Sequence, residues 1–593
     1  MTAVTELLEK HWGYSAFRPL QQEIIRSVLS GSDTLAILAT GSGKSLCYQL
    51  PALCHGGLTL VISPLIALMK DQVDDLNHRG IPAAAWTSAQ DAGDLAGIRN
   101  GLIDGTLRIL FVSPERSVQP AFLACLKKTP LRLIAIDEAH CISAWGHNFR
   151  PEYRQLITLR RSFPQVTVIA LTATATPDVR KDIIQQLDLK RPREFVGSFD
   201  RKNLRYCVRE KKNPLVFIAH YLGQHRTGQG IIYCLSRNDT EEIARDLQKR
   251  GFSALAYHAG LSRQALESVQ DSFLKGTVQV ICATVAFGMG IDKPDVRFVI
   301  HHTLPRSLEA YYQETGRAGR DGLSGECILL FSKSDAARLR SLAAHDSPGG
   351  SALRIALAKL QAMTDFCETT SCRRRQILRY FGEAYPHDTC GSCDTCENPV
   401  GMADCTEAAC LIARCILALS GRFGSDLISD VLRGSKGTKI TGNGFDLLSV
   451  YGKGKQYSRT QYRSWIAELV RQGFLERTGD QYPVIGLTAR GRELLAGRVT
   501  VMLPAPVPGP AAPGAAPVQD TADAVLFEKL KGLRKELAGK YSVLPYMIFP
   551  DKCLKEMAAI RPLDRAGLAT ISGVGPYKLT RYGPAFLEVL RAA

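Results

Sequence analysis

The sequence predicts a multidomain α/β protein: two parallel-sheet lobes, then a helical metal-binding module, a mixed helix-and-hairpin domain and a small helical terminal unit. Three observations predict it. Short β-rich apolar runs alternate with amphipathic stretches through the first half, as in βαβ units. A tight cysteine cluster occupies residues 390–396, and a proline- and alanine-rich stretch sets off the last seventy or so residues. At 593 residues, a prior of about 150 residues per domain gives roughly four domains. A composition of 45% hydrophobic and 22% charged residues can bury several cores, which excludes a disordered, collagen-like or membrane-spanning chain as the overall class.

The first set of strand-like runs is TLAIL (34–38), LTLVIS (58–63), RILFVS (108–113), LRLIAID (131–137) and VTVIALT (166–172). A second set is GIIYCL (230–235), VQVICAT (278–284) and RFVIHH (297–302), with the polar segment Phe199–Pro214 read as a hinge between lobes. From Ser351 to about Phe381 the pattern turns helical, and residues 402–498 read as helices plus a hairpin turning at Gly479-Asp480. Val499–Gln519 carries no charge, but six prolines there exclude a membrane helix and predict an extended linker. The expected domains are 1–205, 206–342, 343–401, 402–498, a linker at 499–520, and 521–593.

The net charge of +17 points to a polyanionic partner, nucleic acid ahead of a membrane surface; a merely basic surface fits the charge equally well. Several of the 17 cysteines sit singly in apolar runs, and the N-terminus lacks the basic and apolar regions of a secretory signal. A reduced, cytoplasmic setting is expected.

After TLAIL comes ATGSGKS, in which Thr40, Gly41, Ser42, Gly43, Lys44 and Ser45 open a helix. A strict GxxxxGK[ST] pattern fails because Leu38 holds the first position, yet the physics remains. Glycines let backbone N–H groups close around phosphates, Lys44 reaches the terminal phosphates, and Ser45 is a candidate Mg²⁺ ligand. About ninety residues on, LIAID runs into Asp137-Glu138-Ala139-His140. Asp137 is placed to hold Mg²⁺ and Glu138 to deprotonate the attacking water. In YYQETGRAGRDG (311–322), Arg317 and Arg320 can bring positive charge from the second lobe. These motifs predict NTP hydrolysis.

Cys390-x₂-Cys393-x₂-Cys396, with Cys372 upstream, offers four thiolates, which saturate tetrahedral Zn²⁺ and make the site structural. By spacing alone, His387, Cys367 and Cys405 compete with Cys372 for the fourth place. Farther on, QYSRTQYRSWIAELVRQGFLER (456–477) is an amphipathic helix carrying Arg459, Arg463 and Arg471.

ATGSGKS, DEAH, LTATAT (171–176) and QETGRAGR together resemble superfamily 2 helicases with two RecA-like lobes. FRPLQQEII (17–25), AHCISAWGHNFRPEY (139–153) and ATVAFGMGIDKPDVR (283–297) resemble the RecQ family of DNA helicases in particular, over nearly the whole chain. The resemblance implies ATP with Mg²⁺, one structural Zn²⁺ held by Cys372, Cys390, Cys393 and Cys396, and 3′-to-5′ unwinding of duplex and branched DNA in recombination, repair and replication. It implies Gln21 reading the adenine edge with Arg18 alongside and Tyr14 stacked on the ring. Arg320 is then an arginine finger, with Gln313 and Arg317 coupling the lobes. Trp145, His147, Phe149 and Arg150 lie in a segment that resembles the family's aromatic-rich loop, which contacts single-stranded DNA. Residues 402–498 resemble a winged helix, with Arg463 and the wing residue Tyr482 as DNA contacts. The tail, with twelve Lys and Arg against seven Asp and Glu, resembles an HRDC domain, in which the ISGVGPYK turn and Lys578 would grip phosphate. Two positions depart from the family pattern: Leu266 stands where relatives usually carry arginine, and Lys202 replaces the proline of DRPNL. The alternatives are an RNA helicase and a nucleotide-gated DNA-binding protein that does not unwind. Single-strand-binding and repair proteins are expected partners of a monomeric motor, in the nucleoid if the source is bacterial.

Overall fold

The computed structural model describes residues 2–87, 92–146, 149–288, 293–346, 350–399, 401–478, 484–505, 522–541, 543–571 and 573–592. Its first lobe is a seven-stranded, all-parallel sheet. The strands are β1 (Thr34–Ile37), β2 (Leu58–Ile62), β3 (Ala83–Trp86), β4 (Ile109–Val112), β5 (Leu131–Ile136), β6 (Thr167–Thr172) and β7 (Arg193–Val196). They lie in the order β3-β4-β2-β5-β6-β1-β7. The central strands are buried on both faces because helices cover them, which is why they read as unbroken apolar runs.

The second lobe is also all parallel. It comprises β8 (Leu204–Glu210), β9 (Gln229–Tyr233), β10 (Ala254–Tyr257), β11 (Val280–Ala283), β12 (Val296–His301) and β13 (Gly325–Phe331), ordered β10-β11-β9-β12-β13-β8. The expected hinge therefore needs correction. Leu204–Glu210 is an edge strand paired along its length with β13, so the true connector is the shorter loop from Gly197 to Asn203.

Helices Gly350–Glu368 and Arg373–Tyr380 and the cysteine knuckle pack against both lobes in one continuous core. Phe381 stacks on Phe199 of the connector with ring centroids 4.5 Å apart. The next domain has its own core around Trp465, Tyr462 and Ile466, with an antiparallel pair β15 (Leu475–Thr478) and β16 (Val484–Leu487). The turn joining them, with Gly479-Asp480 and Tyr482, lies outside the described residues.

The linker expectation is also corrected. Met502–Pro504 (β17) pairs antiparallel with Met402–Asp404 (β14), Val501 and Leu503 are fully buried, and Trp465 Nε1 donates to the Pro504 carbonyl at 2.7 Å. This domain therefore extends at least to Pro504, and residues 506–521 lie outside the described set.

The terminal helices, from Ala522–Tyr541 to Gly583–Arg591, close around Leu530, Phe549, Met557 and Phe586. They do not stand off on a tether. Asp551 lies 3.6 Å from Arg297 of the second lobe while bonding Arg534 of its own unit at 2.7 Å, and Lys531 Nζ donates to the Thr227 carbonyl at 3.3 Å. Among the described residues no helix is long and apolar enough to cross a membrane.

Candidate active site

The loop after β1 turns on Gly41 and Gly43, whose φ values of +82° and +80° lie in the left-handed region that favours glycine. It runs directly into helix Leu46–Cys54, with Ser45 at its N-cap, so a helix N-terminus follows the glycine turn, an arrangement suited to phosphate. Lys44 Nζ sits 3.4 Å from the Leu38 carbonyl, and burial lowers its pKa against the pull of Glu138 and Asp137.

Asp137 directly follows β5, and its Oδ1 accepts the Glu138 N–H at 2.9 Å. Burial, then the neighbouring Glu138, pushes its pKa up to about 6, with Lys44 pulling the other way. Such a crowded carboxylate favours a bound cation, and with Ser45 at the helix start it offers the oxygen donors Mg²⁺ prefers. Glu138 itself has φ 48° and ψ 44°, a left-handed conformation that costs a non-glycine residue energy. His140 steadies it: Nδ1 lies 3.2 Å from Glu138 Oε2 and 2.8 Å from Thr172 Oγ1 at the end of β6. Burial opposes charge on His140, but Cys141 and Glu138 outweigh it and hold the pKa up at about 10. The LTATAT segment is thereby wired to the acids, a link sequence reading did not assign.

From the second lobe, helix Leu308–Thr315 carries Gln313 and leads into Arg317 and Arg320. Arg320 lies over the phosphate loop: a Cβ added to Gly41 would stand 3.3 Å from Arg320 Cγ. Arg317 is buried and packs against Gly288, where an added Cβ would come within 2.9 Å of its Nη2. The lobes thus meet at the phosphate loop.

Arg201, missed from sequence, holds them there. Its guanidinium donates to Thr40 O in the first lobe (2.9 Å) and to Gly316 O (3.3 Å), Ala318 O (2.9 Å) and Gly319 O (3.0 Å) in the second. Asn203 Nδ2 adds bonds to the carbonyls of Gly319 and Leu323 at 2.8 and 2.7 Å. Lys202 between them is exposed, so the departure from DRPNL leaves both clamps in place. Arg374 braces the same connector through Asp200 Oδ1 (2.5 Å), Arg201 O (2.7 Å) and Leu204 O (2.8 Å).

Around the expected base pocket, Tyr14 is 49% exposed and open to stacking. Gln21 and Arg18 are engaged with the phosphate loop: Gln21 Nε2 donates to Ser42 O and Gly43 O at 3.1 and 3.0 Å, and Arg18 Nη1 bonds Gly41 O. Reading an adenine edge requires Gln21 to exchange those bonds.

Just beyond the acids, Trp145 is 54% and Phe149 39% exposed, large aromatic faces held out to solvent. Arg150 points inward to Pro64 O at 3.1 Å, so the cation over the Phe149 ring is Arg154, at 4.9 Å. His147 lies outside the described residues, as does Tyr482. Arg463 forms an ion pair with Asp426 on the domain surface. Lys578 is half-buried, and burial lowers its pKa, with Cys553 and then Arg79 of the first lobe as the neighbouring charges.

The sulfurs of Cys372, Cys390, Cys393 and Cys396 lie within 4.8 Å of one another, and Cys390 and Cys396 are 3.9 Å apart. Tetrahedral Zn²⁺ with ~2.3 Å bonds needs sulfurs ~3.8 Å apart, so the four thiols fit a closed, structural ion. Arg373, bonded to Asp394 at 2.8 and 3.1 Å, pins the knuckle to the helix.

Family models match the chain in sequence order. They are a DEAD/DEAH box helicase (18–183), a helicase conserved C-terminal domain (213–322), a RecQ zinc-binding domain (333–397), an RQC domain (399–511) and an HRDC domain (523–590). Relatives named ATP-dependent DNA helicase RecQ include one from Pasteurella multocida, 42% identical over 99% of this chain and 93% of that protein. Another is from Haemophilus influenzae, 42% identical over 99% and 95%, and a third from Bacillus subtilis, 40% identical over 99% and 98%. The RNA helicase alternative is not favoured. Two parallel-sheet lobes meeting at a phosphate loop, a four-cysteine knuckle and full-length relatives lead to one assignment: the chain belongs to the RecQ family of ATP-dependent DNA helicases.

Proposed function

We propose that the chain couples ATP hydrolysis at the lobe interface to 3′-to-5′ movement along single-stranded DNA, separating duplex and branched substrates as it goes. The observation that carries this reading is Arg320 from the second lobe lying over Gly41 of the first. Residues Thr40 to Ser45 cradle the phosphates, Lys44 neutralises them, and Ser45 and Asp137 would hold Mg²⁺. When bound, that ion offsets charge on the phosphate oxygens. Glu138 orients the attacking water and takes its proton, with His140 fixing the carboxylate. Arg320 balances charge developing in the transition state, while Gln313 and Arg317 help couple the lobes. Tyr14, Arg18 and Gln21 receive the adenine.

Trp145 and Phe149 stack bases of the translocated strand, since every base presents a face to an aromatic ring. Zn²⁺ on the four cysteines is structural and keeps the connector braced. The motor works as a monomer in the cytoplasm, on nucleoid DNA if the source is bacterial, beside single-strand-binding and repair proteins. Strand displacement on duplexes with a 3′ or a 5′ single-stranded tail tests the polarity. Displacement confined to the 3′-tailed substrate, and dependent on ATP, is expected; equal displacement of both would overturn it.

A further inference from the structure

Three separate parts of the molecule meet at one ammonium group. Lys359 stands on helix Gly350–Glu368, outside both lobes. Its Nζ donates to the Trp145 carbonyl at 2.5 Å and lies 3.2 Å from Glu309 Oε1. Trp145 belongs to the aromatic loop of the first lobe, and Glu309 opens the second-lobe helix that ends at Thr315. The pair is sheltered, with the Lys359 side chain 14% and the Glu309 side chain 4% exposed. From helix Arg373–Tyr380, Tyr380 faces the same carboxylate: burial, then Glu309, pushes its pKa up.

We propose that Lys359 is a positioning residue that transmits engagement of the aromatic loop by single-stranded DNA to the arginine-bearing helix of the second lobe. The inference rests on Trp145 and Phe149 being the DNA contact. The loop is pinned at its other face to the catalytic segment. Gly146 packs so tightly on the His140 carbonyl that a Cβ there would collide with it. A base stacking on the exposed Trp145 ring therefore cannot shift the loop freely. Any displacement is felt at His140 on one side and at Lys359 on the other.

A short, charge-assisted bond has a steep distance dependence and weakens quickly when its acceptor moves. The ammonium then redistributes toward Glu309, the only carboxylate paired with it among the described residues. Glu309 sits on the first turn of a helix of eight residues, about 12 Å of rigid rod at ~1.5 Å per residue. The far end of that rod carries Gln313 and leads into Arg317 and Arg320. Movement at Glu309 is thus delivered to the arginine over the phosphate loop.

The test measures phosphate release by the full-length protein, with and without a saturating thymidine oligonucleotide, in Lys359→Met, Lys359→Arg and Trp145→Ala. Lys359→Met is expected to keep the basal rate, the ATP KM and its zinc, and to bind the oligonucleotide within about twofold of wild type. Stimulation by DNA falls at least fivefold, and Lys359→Arg, which keeps a donor and the charge, recovers part of it. If Lys359→Met does not fold, Glu309→Gln removes the charge from the other side of the pair and carries the same expectation. Full stimulation in Lys359→Met or Glu309→Gln, with loss in Trp145→Ala, overturns the role of Lys359 and leaves the loop as the DNA contact. Full stimulation in Trp145→Ala overturns the loop reading, and this inference with it.

Discussion

Replacing Arg201 with alanine tests how the lobes are held together. The side chain makes four bonds, one to Thr40 in the first lobe and three to the loop leading to Arg320. A hydrogen bond from a charged donor contributes about 1.5–3 kcal/mol net. Only the Thr40 bond opposes separation of the lobes directly, so closure should weaken by about 1.5–3 kcal/mol, or roughly 10- to 150-fold at ~1.4 kcal/mol per decade. Asn203 keeps two bonds to the loop, so the arginine stays near its place and the loss should not exceed that range. Steady-state phosphate release at saturating DNA reads the effect as a fall in kcat. Nucleotide affinity in the open form, measured by a fluorescent analogue, should change little because Arg201 touches the phosphate loop only at the Thr40 carbonyl. Arg201→Lys keeps the charge but lacks the planar fork and should fall between. Wild-type turnover in Arg201→Ala would refute the clamp.

Glu138→Gln should bind ATP normally and hydrolyse it about a hundredfold more slowly or worse, the usual scale for losing a general base; near-normal turnover removes Glu138 from the role. Cys393→Ser should lose zinc by elemental analysis and melt at lower temperature, because metal binding and folding are linked; a stable, zinc-free serine variant contradicts the closed site. Asp551→Asn removes the charge facing Arg297 while keeping hydrogen-bonding atoms for Arg534. It should let the terminal unit leave the second lobe and enlarge the radius of gyration in solution scattering, whereas unchanged dimensions in both proteins at high salt would argue that the charges do not hold it.

The motifs whose chemistry is local were readable from the sequence. A strand followed by Gly41-Ser42-Gly43-Lys44-Ser45 specifies its own turn and helix start, and the four cysteines sit at ligand spacing whatever surrounds them. Strand β3 escaped because AAAW is made largely of the best helix former and only its place beside β4 makes it a strand. β8 escaped because an edge strand with one open face looks polar. Val501 and Leu503 show the period-two alternation of a strand, hidden by the prolines that follow.

Arg201 and Lys359 were unreadable for another reason. Their partners are mostly main-chain carbonyls more than a hundred residues away, and a carbonyl leaves no mark on sequence. The charge of the tail was visible, but not its use. Asp551 and Lys531 meet the second lobe and Lys578 is half-buried, so a basic composition read as DNA contact is in part an intramolecular interface.

The central claim is that hydrolysis needs both lobes, with the second lobe completing the site through Arg320. The direct measurement is single-turnover ATP cleavage by Arg320→Ala, with DNA saturating and nucleotide affinity recorded in parallel. An arginine that stabilises only the transition state is worth about 10³-fold or more in rate, so cleavage should fall by at least that much while ATP affinity stays within a few fold of wild type. Cleavage within tenfold of wild type in Arg320→Ala would contradict the account.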